Sequence, residues 1–169
     1  MDNRSGIWRG VVTDANNGGF VGIRSTPFEN GMILDMRDCK GVILTVRSMT
    51  TTTTTNEEGS NRNRSPGQRY KFVVRDTTDF NGICWTTEFD VLPNNSNRKD
   101  GTTTTTEIRI PFAQQIPTIF AKTIRGQRFD DTNIVGFQVA YSKFEYDGRL
   151  NAKFQLGEFN LQLLELKSF

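Results

Sequence analysis

Val135, Phe137, Val139 and Tyr141 alternate with Ile134, Gly136, Gln138 and Ala140, and this period of two constrains the chain more than any other feature. A strand sends successive side chains to opposite faces, so the pattern lays one face on a core. A second apolar run, FNLQLLEL at residues 159–166, reads as another strand. The connection between them, SKFEYDGRLNAKFQLGE, carries Phe144, Tyr146 and Phe154, for which a solvated loop has no need. It is expected to be ordered and to pack back on the domain. Asp147-Gly148 marks a turn within it, because glycine takes positive φ without steric cost.

The same alternation recurs upstream. Ile7, Trp8, Val11 and Val12 suggest a weak first strand. Phe20, Gly22 and Arg24 point one way, Val21 and Ile23 the other. Residues 42–47, VILTVR, begin apolar on both faces, as a central strand does. RYKFVVR at residues 69–75 puts Tyr70, Phe72 and Val74 on one face; GICWTTEF at residues 82–89 does the same with Ile83, Trp85, Thr87 and Phe89. With a turn at residues 76–79 between them, these two read as an antiparallel hairpin. Residues 107–110 resume the alternation and stop at Pro111. Residues 34–39 suggest a short helical turn, 112–117 an irregular segment and 119–124 a further strand. No helix of real length competes. About eight short strands separated by turns predict an all-β chain, a β-sandwich or jelly roll closed by packing two sheets face to face.

At 169 residues the chain is read as a single domain over residues 1–169, interrupted by inserted loops at about 48–68 and 93–106. Each insert holds a threonine run and lacks apolar periodicity. They account for much of the low apolar fraction of 35%. The first is read either as a mobile arm, with Arg62, Arg64 and Arg69 as anion contacts, or as a tolerated expansion, since long surface insertions cost little closure entropy. The 13 phenylalanines suggest aromatic packing between the sheets.

Composition also excludes functions. A net charge of +2 is too small to argue for nucleic acid, and no basic stripe is interleaved with aromatics. With no histidine, the commonest general base and zinc ligand are both missing. Cys39 and Cys84 sit in or beside apolar strand patterns, where free thiols are buried and inert; a disulfide between them stays open. No apolar run approaches the ~20 residues of a membrane-spanning helix, and the start, MDNRSGIWRG, lacks the apolar region of a signal peptide.

Candidate chemistry is sparse. Glu145 and Asp147 read as paired carboxylates for glycoside hydrolysis only if nothing neutralises them, and Arg149 is close enough to do so; surface charge pairing is the simpler account. Asp76, Asp79, Asp130 and Asp131 sit at turns, where aspartate bonds its own backbone; a structural calcium is the alternative. Trp8 and Trp85 suit either a core or a sugar-stacking face. No phosphate cradle or nucleophile elbow is present, so the chain is read as a non-enzyme without cofactor or metal.

Four blocks carry a resemblance. They are Gly18-Gly19-Phe20-Val21-Gly22-Ile23-Arg24-Ser25 with Pro27-Phe28; Arg69-Tyr70-Lys71-Phe72 through Arg75-Asp76 to Trp85-Thr86-Thr87-Glu88-Phe89-Asp90; Ile110-Pro111-Phe112 with Ile116-Pro117-Thr118; and Ser142-Lys143-Phe144-Glu145-Tyr146-Asp147-Gly148 with Leu150-Asn151. In this order they resemble the complex I intermediate-associated protein family over nearly the whole chain. The resemblance implies a galactose-binding-like β-sandwich. It implies a non-enzymatic protein-binding module, an assembly factor or peripheral stabilising subunit of a large membrane electron-transfer complex, respiratory or photosynthetic. The family's best-known members assist assembly of respiratory complex I on the inner mitochondrial membrane, and relatives in plastids are associated with photosystem biogenesis. The partners expected are subunits of such a complex, with no nucleic acid and a peripheral place at the membrane. An organelle is implied, with the threonine-rich inserts favouring a thylakoid-associated plastid protein over a mitochondrial one. Partner-binding anchors are expected at Phe144, Tyr146 and Arg149, with Trp85 a further candidate. A carbohydrate-binding module is the alternative, suggested by the sandwich class and the tryptophans.

Overall fold

A computed structural model describes residues 5–15, 18–25, 28, 31–49, 67–79, 81–93 and 105–169. Among these it forms ten strands and no α-helix. They are β1 (Gly6–Val12), β2 (Phe20–Arg24), β3 (Gly41–Ser48), β4 (Gln68–Arg75), β5 (Cys84–Val91), β6 (Thr105–Pro111), β7 (Ile116–Ile119), β8 (Lys122–Thr123), β9 (Gly136–Ser142) and β10 (Gly157–Ser168). Two sheets result: a four-stranded one in the order β1-β10-β3-β6 and a six-stranded one in the order β2-β9-β4-β5-β7-β8. All pairings are antiparallel. The expected all-β sandwich is therefore the observed fold.

Each sheet follows from its sequence pattern. Alternation on β4 and β5 turns Tyr70, Phe72, Val74, Trp85 and Phe89 toward the opposing sheet, and Val139 and Tyr141 join them from β9. The four-stranded sheet answers with Trp8, Val42, Leu44, Val46, Ile110, Phe159 and Leu161. Aromatic rings meet across the interior: Trp8 lies 6.1 Å from Tyr70, and Tyr141 5.9 Å from Phe159. β10, the longest strand, pairs with β1 through its first half and with β3 beyond, with a register shift between Leu163 and Glu165. β3 is central, as its two-sided apolar start predicts, with β10 and β6 as neighbours.

Several local expectations need correction. Residues 34–39 form no helical turn. Leu34 instead bridges Ile134 with two backbone hydrogen bonds, and Cys39 closes a turn onto Met36. Residues 112–117 are not irregular: a 3-10 turn at Phe112–Gln114 leads straight into β7. The strand expected at 119–124 is a hairpin, in which Phe120 and Ala121 turn the chain at φ 49° and 61°. The inserts are shorter than their expected bounds, because Ser48, Gln68, Thr105 and Thr106 lie in strands. Residues 50–66 and 94–104, with Arg62 and Arg64, lie outside the described residues. Cys39 and Cys84 are both free thiols.

Candidate functional site

A trough of about 600 Å³ lies on the outer face of the six-stranded sheet. Its floor is the reverse side of the strands whose inner side makes the core. The same alternation that sends Phe72 and Val74 inward sends Lys71, Val73 and Arg75 outward. Ala140 and Ser142 of β9, Cys84 and Thr86 of β5 and Thr118 of β7 complete a floor of small side chains, which gives the trough its depth. β4 is consequently buried on both faces.

Two turns build the far walls and interlock. The β7–β8 hairpin carries Phe120 to the rim. The connection from β9 to β10 turns at Asp147-Gly148, both at positive φ, with Arg149 N–H bonding Tyr146 O at 3.0 Å. The Asp147 N–H then bonds Ala121 O at 2.9 Å, tying one turn to the other. The connection is ordered and folds back, as expected: Phe144 bridges Leu150, and Phe154 packs on Tyr141 at 5.0 Å. Asn151 clamps it further through Nδ2, which donates to the Arg69 and Ser142 carbonyls.

Three exposed phenylalanines surround the opening: Phe20 on edge strand β2 (65% exposed), Phe120 on the hairpin (79%) and Phe144 on the connection (44%). Of the expected anchors, Phe144 and Tyr146 both line the trough. Tyr146 is half-buried, with Lys71 Nζ 5.1 Å above its ring, and its hydroxyl has no hydrogen-bond partner. Burial, with Glu88 and Glu145 nearby, pushes the phenol upward, so it stays a protonated donor. Trp85 is not presented to a partner. It is buried in the core against Phe129 at 5.1 Å, with its Nε1 donating to Asp76 at 2.7 Å. Trp8 is buried too, so neither indole is placed to stack on a sugar.

Arg149 is exposed but engaged. Its Nε donates to Glu145 Oε2, while Arg69 Nη1 donates to Oε1 at 2.8 Å. Glu145 is buried, so the expected charge pair runs from the exposed Arg149 to a buried carboxylate. Burial pushes its carboxyl upward, but the two guanidinium bonds outweigh that and hold it below the ordinary glutamate range. Asp147 faces away toward Thr123, so the two carboxylates do not form a hydrolytic pair. Arg69 also bonds Asp90 through two nitrogens, and Lys153 reaches the same carboxylate at 2.6 Å. The acidic turns serve their own backbone, as when Asp79 Oδ1 accepts from Asn81 N–H and Asp130 Oδ1 from Thr132 N–H. No metal-binding cluster is found among the described residues.

The trough's cationic side chains escaped the sequence reading. Arg24 lines it from β2, where it donates to Gln138 at 3.1 Å. Burial lowers the Arg24 guanidinium, and the positive charge of Arg75 lowers it further. Arg75 donates to Cys84 Sγ at 2.8 Å and to the Asp79 carbonyl. Burial nevertheless keeps the Cys84 thiol above its ordinary range, which leaves it a poor nucleophile. The available signal was the polar side of RYKFVVR, but that Arg24 stands near Arg75 depends on strand order.

Comparison with known proteins bears on what this surface serves. The profile of "Complex I intermediate-associated protein 30 (CIA30)" matches residues 60–163. Among solved structures, a family 11 carbohydrate-binding module from Clostridium thermocellum, in complex with a β-1,3-1,4-mixed-linked tetrasaccharide, is similar at TM-score 0.46 and 15% identity. That match covers 97% of this chain and 89% of the other. No curated protein matches the chain.

Proposed function

The chain belongs to the complex I intermediate-associated protein 30 family, and from that premise we propose a non-enzymatic binding module that serves assembly of a membrane electron-transfer complex. The observation that carries this reading is the open trough ringed by Phe20, Phe120 and Phe144. Large apolar side chains grouped around one opening mark an interaction surface, whereas singly scattered ones do not. Their support is rigid: a floor of paired strands and two turns bonded to each other. A rigid scaffold presenting aromatic anchors is what a specific, low-entropy-cost grip on another protein requires.

In this reading the protein is peripheral to the membrane, and no helix among the described residues is long and apolar enough to cross one. Its partner is a subunit of a respiratory or photosynthetic complex. The threonine-rich inserts favour the plastid over the mitochondrion as its location.

Native gel separation of solubilised membranes, with the protein followed by mass spectrometry, tests the reading. Co-migration with partly built complexes identifies an assembly factor, and co-migration with the mature complex a resident subunit. Migration free of every electron-transfer complex overturns the proposal.

A further inference from the structure

The polar groups on the floor of the trough are bonded within the chain. Lys71 is buried, and its Nζ donates to the Glu145 carbonyl. Arg75 is buried and donates to Cys84 Sγ and to the Asp79 carbonyl. On the flank, Arg24 donates to the Gln138 side chain. The hydroxyls are engaged in the same way. Thr86 and Thr118 share a hydrogen bond of 3.1 Å, Thr118 also donates to the Cys84 carbonyl, and Ser142 Oγ accepts from the Phe144 N–H. The Tyr146 hydroxyl is buried and out of an occupant's reach. The apolar part of the described lining is Val73 and Ala140 on the floor, with Ala121 and the rings of Phe20, Phe120 and Phe144 around it. Exposed Asn81 and Lys122 add polar groups.

Charge complementarity then favours an occupant that brings no charge. A carboxylate or hydroxyl carried onto this floor gives up its water and finds the donors and acceptors there already paired, which costs free energy. An aliphatic or aromatic side chain gives up nothing of that kind and gains by leaving water. Resting on the trough as the docking surface, we propose that its occupant is an uncharged apolar segment of the partner subunit. Its side chains lie over Val73 and Ala140 and between the three phenylalanine rings. The trough selects against charged and sugar-like ligands by leaving their polar groups unpaired.

Two measurements on the full chain test this. Both read the recovery of the contacting subunit, first identified by cross-linking, with the tagged protein from solubilised membranes. The first raises sodium chloride in the wash from about 0.1 M to about 1 M, which shortens the screening length from about 10 Å to about 3 Å. The native chain is expected to keep the subunit within about twofold, because apolar contact is not screened, and a larger fall overturns the inference. The second compares Phe120→Leu, Phe120→Lys and Phe120→Glu. Phe120 is exposed, so all three should keep the native melting temperature. Leucine should retain the subunit within about threefold, whereas lysine and glutamate should each lose it at least about tenfold, whatever the sign of the charge. A loss for one sign alone reveals a charged occupant: the docking surface then stands and the apolar occupant falls. Full recovery by both charged variants overturns the surface as well as the occupant. Displacement of the subunit by a mixed-linked glucan tetrasaccharide also overturns the inference.

Discussion

Thr123 grips both carboxylate oxygens of Asp147: its backbone N–H donates to Oδ1 at 2.8 Å and its hydroxyl to Oδ2 at 2.8 Å. With the Asp147 N–H on Ala121 O, this makes a two-way clasp between the hairpin that carries Phe120 and the turn beside Tyr146. The clasp, together with the pairing of β7 on β5, sets where the exposed ring of Phe120 stands.

Replacing Asp147 by glycine separates the clasp from the turn. Asp147 sits at φ 55°, which glycine adopts freely, so the turn survives while the side-chain bonds are lost. Hydrogen exchange at the Thr123 amide should accelerate with little change in melting temperature. Acid should mimic the variant. The bonds from Thr123 hold the Asp147 carboxyl below its ordinary range. A depressed folded-state pKa stabilises above the unfolded value, near 4, and the effect vanishes as pH falls through the folded value. Protection of the Thr123 amide should therefore hold at neutral pH and decline below about pH 4.

Glu145→Gln should be far more costly. It weakens the charge-assisted bonds that Arg69 and Arg149 make to this buried side chain, at about 1.5–3 kcal/mol, while Arg69 keeps its pair with Asp90. Arg149→Ala removes an exposed partner while Arg69 still holds Glu145, and should cost less than about 1 kcal/mol. Denaturant melts of both variants check the ranking. The Glu145 carboxyl is also depressed, so its contribution should be complete at neutral pH and fade as pH drops below about 4.

Tyr146→Phe removes a hydroxyl that bonds nothing within the chain. Stability should change by less than about 0.5 kcal/mol or rise slightly, since no internal hydrogen bond is lost. Because the hydroxyl is buried as well as unpartnered, a partner docked on the trough should bind this variant as tightly as the native chain. A loss of affinity would show that the hydroxyl becomes accessible on binding.

Ala121→Gly should stabilise the protein by about 1 kcal/mol, because alanine is held at φ 61°, where its Cβ is disfavoured. Equilibrium unfolding measures this directly. Phe120 is left in place, so partner binding should be retained.

What the sequence makes legible follows from where the physical signal lives. Period-two alternation is local, so β4, β5 and β9 and their inward faces are readable, as are Phe72, Val74 and Tyr141 in the core. Asp147-Gly148 is readable because glycine signals positive φ. The Phe120-Ala121 turn is not, because neither residue favours that conformation and only tertiary bonds, such as Asp147 N–H to Ala121 O, hold it. Trp85 and Glu145 illustrate a second limit. Alternation gives the side of the sheet on which Trp85 lies but not what covers that side, and Glu145, in the connection itself, is buried only because that connection folds back against Arg69 of β4. The trough is non-local in the same way: Arg24 and Arg75 lie far apart in sequence and share it because β9 sits between β2 and β4.

The account turns on whether the phenylalanine rim is where the partner is held. The direct measurement is quantitative mass spectrometry of what co-purifies with the tagged protein from solubilised membranes, comparing the native chain with the double variant Phe120→Ala, Phe144→Ala. Both rings are exposed, so the fold should keep its melting temperature. Recovery of electron-transfer complex subunits should fall at least about tenfold, as losing two anchors of about 1 kcal/mol or more implies. Full recovery by a folded double variant would contradict the account.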